Sequence, residues 1–211
     1  MKYFNTLPQI YITDPGGNYL LVTNLMARAE LISSLLSNPL LFYQYDIQEH
    51  DTPESIANKY YGTVDRFWLV LFANQILDPQ WGWPLTSAQF GDYITDKYAQ
   101  YVYTYDPATV LAFVQSTIYG YTKTVTTTDG YTGLSTTNTY YLDQNGYNLL
   151  LTGTNTQYFP DGNSVTQTVT KQVLSLYDWE NQLNESKRKI NIINSQYVSS
   201  IESQFMSLMS T

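Results

Sequence analysis

Residues 45–86 read Y-D-I-Q-E-H-D-T-P-E-S-I-A-N-K-Y-Y-G-T-V-D-R-F-W-L-V-L-F-A-N-Q-I-L-D-P-Q-W-G-W-P-L-T. Tyr45-Asp46-Ile47-Gln48 alternates apolar and polar residues, the pattern of a half-buried strand, and the turn Glu49-His50-Asp51 follows. Thr52 can then accept a backbone N–H as an N-cap, and Pro53 suits the first helical position. Asp51 and Glu54 lie near the positive end of the helix dipole. Ile56, Ala57 and Tyr60 share one face of this helix, Gly62 ends it and Thr63 caps a second. The second helix, Asp65 to Asn74, is apolar over most of its circumference, so it must be buried or gripped by a partner.

Strand, first helix "D-T-P-E-S-I-A-N-K-Y-Y-G" and second helix "W-L-V-L-F-A-N-Q-I-L-D-P" together resemble the LysM family. The Asn74 to Pro79 segment is similar to that family's helix exit. A secreted LysM domain would continue into a Gly-rich turn and a second strand ending in Ile-Pro. Gln80-Trp81-Gly82-Trp83-Pro84-Leu85-Thr86 stands there instead, and the strand that helps to build the glycan groove is missing. The run from Tyr61 to Thr86 resembles something narrower, the LysM-containing baseplate wedge subunit of T-even-type contractile-tailed bacteriophages, the gene product fifty-three family. Tyr177-Asp178-Trp179-Glu180, "N-E-S-K-R-K-I-N-I-I" and "I-E-S-Q-F-M-S-L-M" near the C-terminus resemble the same family. Together the similar segments, roughly Asn24 to Tyr98 and Tyr177 to Met209, cover about half of the chain. The resemblance implies a virion protein of the inner tail baseplate that clamps the wedge core. It also implies contacts with other wedge proteins and a part in joining adjacent wedges into a sixfold ring around the hub.

Around this unit the chain divides into four segments. Residues 1–40 hold a hairpin or extended arm, with the turn signal Asp14-Pro15-Gly16-Gly17 between apolar runs. A helix over Leu25 to Ser37 follows, capped by Asn24, with Leu25, Ala29, Ile32, Leu35 and Leu36 on one stripe. Residues 41–98 are the LysM-like unit. Residues 99–172 are an insertion rich in Tyr and Thr, in which Asp129-Gly130, Asn145-Gly146 and Asp161-Gly162 recur about sixteen residues apart. Turn pairs so spaced predict about four antiparallel strands in an up-and-down meander, too poor in apolar residues to bury much surface alone. Residues 173–211 predict one long helix, because Trp179, Leu183, Ile190, Ile193, Tyr197, Ile201, Phe205 and Leu208 recur every three or four positions. From Leu176 to Met209 such a helix would be about 50 Å long at 1.5 Å per residue. The expected class is therefore α+β: a LysM-like strand-helix-helix unit, an antiparallel β insertion and a long C-terminal helix.

Composition bears on function. Of 211 residues 43% are hydrophobic and only 13% charged, while 21 are Tyr, 8 Phe and 4 Trp. Tyrosine suits strands, and equally suits surfaces that are exposed before assembly and covered after it. A net charge of −8 disfavours nucleic acid as a partner, since a phosphate-binding surface needs clustered Lys and Arg. No run reaches membrane-spanning length and no signal peptide is recognisable, so synthesis in a host cytoplasm is expected. Zero Cys rules out disulfides and thiolate metal sites, and the sole His50 has no second histidine to complete a metal set. Glu49 and Asp51 lie on one short turn, too close together to flank a sugar. No enzyme, no cofactor and no metal is the resulting expectation. Two readings remain: a structural baseplate subunit, or a module binding peptidoglycan or chitin-like glycans. Against the second stand the absent export signal, the absent hydrolase and the missing second strand. Candidate protein-interaction residues are Trp68, Phe72, Trp81 and Trp83 around the second helix, with Ile190, Tyr197, Ile201 and Phe205 on the C-terminal stripe.

Overall fold

A computed structural model describes residues 3–27, 29 and 38–209. In chain order the elements are β1 (Gln9–Thr13), β2 (Tyr19–Thr23), β3 (Phe42–Asp46), α1 (Pro53–Tyr61), α2 (Phe67–Ala73, entered through a 3-10 turn at Val64–Arg66) and α3 (Pro79–Gly82). Then come α4 (Ser87–Val102), α5 (Pro107–Ser116), β4 (Ile118–Asp129), β5 (Ser135–Leu142), α6 (Gln144–Leu149), β6 (Gly153–Tyr158) and β7 (Ser164–Ser175). The chain closes with α7 (Leu176–Ser186), β8 (Lys189–Ile193) and α8 (Ser195–Met209). The protein is a mixed α+β chain whose sheets are antiparallel, and it forms two compact units. One comprises residues up to 87 together with those from 184 onward; the other is 88–183.

In the first unit α1 and α2 form where the local signals place them, while β3 runs from Phe42 to Asp46 and shares only Tyr45 and Asp46 with the expected strand. Thr52 and Ser55 make a reciprocal capping box, with Thr52 Oγ1 accepting from the Ser55 N–H at 3.2 Å and Ser55 Oγ accepting from the Thr52 N–H at 2.9 Å. Gly62 ends α1 at φ 69°, a left-handed position that a side chain would strain. The partner of β3 is β8, antiparallel, with Gln44 opposite Asn191 and Tyr45 opposite Ile190. This corrects one expectation. The C-terminal segment is not one helix: α7 stops at Ser186, five residues run as a strand, and α8 restarts at Ser195. That strand, more than a hundred residues beyond Pro79, is the partner of β3. The reason is physical: Ile190, Ile192 and Ile193 gain full burial against α2 only as a strand, a state that β-branched residues favour.

The core of this unit gathers Ile56, Leu69, Val70 and Ile192, with Val198, Phe205 and Met209 arriving from α8. Arg66 ties α8 to the start of α2 by a two-pronged ion pair with Glu202, at 3.0 and 3.1 Å. The expected helix over Leu25 to Ser37 lies largely outside the described residues; Asn24 to Ala27 form a turn. Before it, β1 and β2 make a separate two-stranded hairpin.

In the second unit the sheet has strand order β5-β4-β7-β6, so it is two hairpins joined through β4 and β7 rather than an up-and-down meander. Residues 99–116 within it are helical at both ends, in α4 and α5. Asp129-Gly130 and Asp161-Gly162 do mark hairpin ends, but Asn145-Gly146 lies on α6. Asp143 caps that helix by accepting the Gly146 N–H at 2.6 Å, which consumes the turn signal. Cross-strand hydroxyl pairs compensate for the sheet's poor apolar content. Thr126 with Thr137, Thr154 with Thr168 and Thr156 with Thr166 lie 3.0–3.1 Å apart, each worth about 0.2–1 kcal/mol. In this unit Ile94, Val110, Val114 and Leu174 are fully buried.

Candidate interaction surface

The residues singled out on the first unit separate into core and surface. Trp68, only 3% exposed, lies on α2 with its ring 4.8 Å from Phe205 on α8 and 5.9 Å from Phe72. Phe205 is equally buried, and Ile190 is buried in β8. Trp68, Leu69 and Val70 of α2 are thus buried within the unit, with Phe205 of α8 against Trp68, while Phe67 is only half-buried. Phe72 and Ile201 are half-buried against the same core. The indole N–H of Trp68 is buried without a hydrogen-bond partner among the described residues.

Trp81 and Trp83 differ from these and from each other. Asp78 caps α3 by accepting the Gln80 N–H at 3.0 Å and Pro79 opens it, so the helix is a single turn that presents Trp81 with its side chain 57% exposed. Lys187 donates to the Trp81 carbonyl at 2.8 Å. Trp83 turns inward, half-buried, and its indole N–H donates to the Asp51 carbonyl at 3.0 Å. Tyr197 on α8 is exposed. Beside Trp68 runs an apolar groove of about 510 Å³ whose rim includes Phe4, Leu25, Ile76 and Leu77. Sequence reading missed this groove, since its walls come from three separate stretches of chain.

The groups weighed for catalysis are engaged in structure. Asp51 accepts from the Tyr45 hydroxyl at 2.7 Å and from the Gln48 N–H at 2.9 Å. Glu49 accepts from the Ser87 N–H at 2.5 Å and pairs with Arg188 at 3.3 Å; the Ser87 bonds and the Arg188 charge hold its carboxyl below the ordinary range. His50 and Glu54 are exposed. Among the described residues no cluster of three or more His, Asp or Glu side chains could hold a metal, and no helix is long and apolar enough to cross a membrane.

In the second unit the Tyr-x-x-Glu motif has a structural role. Glu180, buried on α7, accepts from Lys97 Nζ at 2.7 Å, the Tyr98 hydroxyl at 2.7 Å and the Tyr93 hydroxyl at 3.0 Å. Burial alone would raise its pKa; the bonds from Lys97 and the two tyrosines outweigh that and hold it below the ordinary value. Tyr177 packs edge-on against Phe90, and Trp179 stacks on Tyr119 with ring centres 4.4 Å apart.

No curated protein matches the chain. Residues 32–208 match the family model described as base plate wedge protein 53, a span that takes in β3, α1, α2, both hairpins of the larger sheet and the C-terminal strand and helix. The chain therefore belongs to the phage base plate wedge protein 53 family.

Proposed function

We propose that this protein is a non-enzymatic structural subunit of a phage tail baseplate wedge, binding neighbouring wedge proteins and helping to join adjacent wedges into a sixfold ring around the hub. The observation that carries this reading is the family match over residues 32–208. Exposed Trp81 and Tyr197 and the groove beside Trp68 supply surface of the kind that assembly covers. The first unit is LysM-like in its order: strand β3, helices α1 and α2, strand β8, with the two strands paired antiparallel. The whole 88–183 unit is inserted between its second helix and its second strand. Glycan binding is the less favoured reading even though the second strand exists, because the loop between β3 and α1 spends its polar groups on Tyr45, Trp83, Ser87 and Arg188.

The test is co-assembly. The purified protein mixed with the other wedge proteins of its phage should sediment with them as one complex, and should not bind chitin oligomers or peptidoglycan in calorimetric titration. A chain that sediments alone and binds a glycan would overturn the reading.

A further inference from the structure

The larger sheet carries its charges on the central strands and leaves its edges bare. Lys123 and Asp129 lie on β4 and Lys171 on β7, while the edge strands β5 (S-T-T-N-T-Y-Y-L) and β6 (G-T-N-T-Q-Y) have no charge and no proline. A sheet that stays alone in water guards its edges with charges, prolines, bulges or very short strands. Here the registers of β5 on β4 and of β6 on β7 run without a bulge, and the irregularity at Ile118 and Gly120 lies between the central strands. Ser135 to Tyr141 are all exposed, and of β6 only Thr156 is half-buried. No strand among the described residues pairs with the outer side of either edge.

The backbone decides what can lie against these edges. The Asp129 N–H donates to the Leu134 carbonyl at 2.9 Å, so even-numbered residues of β5 turn their backbone groups toward β4, and Ser135, Thr137, Thr139 and Tyr141 turn theirs outward. The Phe159 N–H donates to the Asn163 carbonyl at 2.9 Å, so on β6 it is Thr154, Thr156 and Tyr158 that turn theirs outward. Both edges therefore present Thr-Asn-Thr, at 137–139 and at 154–156, with the backbone of both threonines facing out. The threonine side chains share one face of the sheet: Thr137, Thr126, Thr168 and Thr154 form a row across all four strands.

The two edges fit each other. Every pairing in the sheet is antiparallel, so β5 and β6 run in opposite directions, and β6 of one molecule laid beside β5 of the next continues the antiparallel order. With Thr154 opposite Thr139, Asn155 opposite Asn138 and Thr156 opposite Thr137, each threonine pair exchanges both its N–H···O bonds and the rows of threonine run on unbroken. In the same register Tyr140 covers Gly153, and no charge meets another. A strand from another protein would need the same face and the same backbone parity, which this chain already carries at its opposite edge. We infer that the larger sheet continues from one copy of this chain to the next, the β6 edge of each pairing with the β5 edge of its neighbour. Such a contact is head-to-tail, the kind that builds rings. An edge of 6 residues buries less than the roughly 800 Å² per partner that holds a dimer in dilute solution, so the junction forms where copies are already held side by side. The inference rests on the baseplate reading and names the strands that join copies on adjacent wedges.

The test exploits a chain with no cysteine of its own. The full chain is supplied in trans to phage lacking the native gene, and sedimented baseplates are mildly oxidised and run on a gel without reductant. Asn138→Cys with Asn155→Cys puts thiols at a non-hydrogen-bonded pair of the proposed register, with Cα atoms about 4.5 Å apart between neighbours, within disulfide reach. Within one molecule the same two positions are at least about 14 Å apart, three strand spacings, so no internal bond competes. The double variant should run as covalent dimers and higher multiples, and each single variant as monomer. Thr136→Cys with Asn155→Cys, out of register at about 7–8 Å, should cross-link far less. Should the first double variant melt early under reductant, Thr136→Cys with Gln157→Cys, the next pair of the same register, takes its place. Incorporated double variants that stay monomeric overturn the junction, and so do dimers from a single variant, which would mean that like strands pair. Failure of the unsubstituted chain to incorporate at all would instead overturn the baseplate reading on which the junction rests.

Discussion

Asn74 and Asn191, 117 positions apart, are joined as if by an extra strand: Asn74 Nδ2 donates to the Asn191 carbonyl and the Asn191 N–H donates to Asn74 Oδ1, each at 2.8 Å. Asn74 Nδ2 also reaches the Val70 carbonyl at 2.8 Å, so one side chain closes α2 and pairs the edge of β8 that faces away from β3. Asn74→Ala would leave both backbone groups of Asn191 without partners at a partly buried site. A loss of about 1–3 kcal/mol in urea denaturation is expected, with Asn74→Asp in between because it keeps the acceptor. Equal stability of all three proteins would show that water replaces the side chain.

Removing the chain from Asn184 onward takes away β8 and α8 together, and with them the partner of β3 and the covering ring of Phe205. The truncated protein should lose the near-ultraviolet circular dichroism of Trp68 and the cooperative melting of the first unit. Retention of both would mean that β3, α1 and α2 hold together without the returning strand.

Trp68→Ala and Phe205→Ala should each cost about 3–5 kcal/mol, because each opens a cavity in a shared aromatic core. Trp68→Phe should cost far less, since the buried indole N–H has no partner to lose among the described residues. Trp81→Ala should leave the melting midpoint nearly unchanged and impair incorporation into baseplates. A core-sized loss of stability in Trp81→Ala would move that residue out of the candidate surface.

Glu180 makes stability depend on pH in a definite direction. Its folded pKa lies below the ordinary glutamate value of 4.5, so the unfolded chain binds the proton more tightly. The stabilisation is therefore complete above about pH 4.5 and is lost as pH falls through the lower folded value. Glu180→Gln should flatten that acid limb in a series of melts. Glu180→Ala, which takes the acceptor from the buried Tyr98 hydroxyl while the Lys97 ammonium stays partly in solvent, should cost about 1–3 kcal/mol near neutral pH.

Local chemistry was legible wherever its partners lie within a few residues. Thr52, Pro53 and Gly62 bound α1, Thr63 starts the turn into α2, and Asp129-Gly130 ends a strand, all as read from the chain. Asn145-Gly146 misled because Asp143, two residues earlier, offers a helix cap with an equally local claim on the same atoms. At Lys189–Ile193 the three-to-four-residue spacing of apolar positions continued across a segment whose isoleucines also fit a strand, and five residues are too few for periodicity to arbitrate. The interaction residues were read from hydrophobicity, which marks surface that must be covered and is silent on what covers it. For Trp68, Ile190 and Phe205 the cover is the same chain.

By itself, then, the sequence determined the ends of α1, the α+β class and the family, because caps, turns and motifs act over a handful of neighbouring positions. Only the tertiary structure decided that the strand opposite β3 is Lys189–Ile193, that the larger sheet runs β5-β4-β7-β6, and that the aromatic face of α2 is core. Strand pairing and burial join residues far apart in the chain, and their free energy depends on which surfaces meet, a quantity that no local pattern encodes.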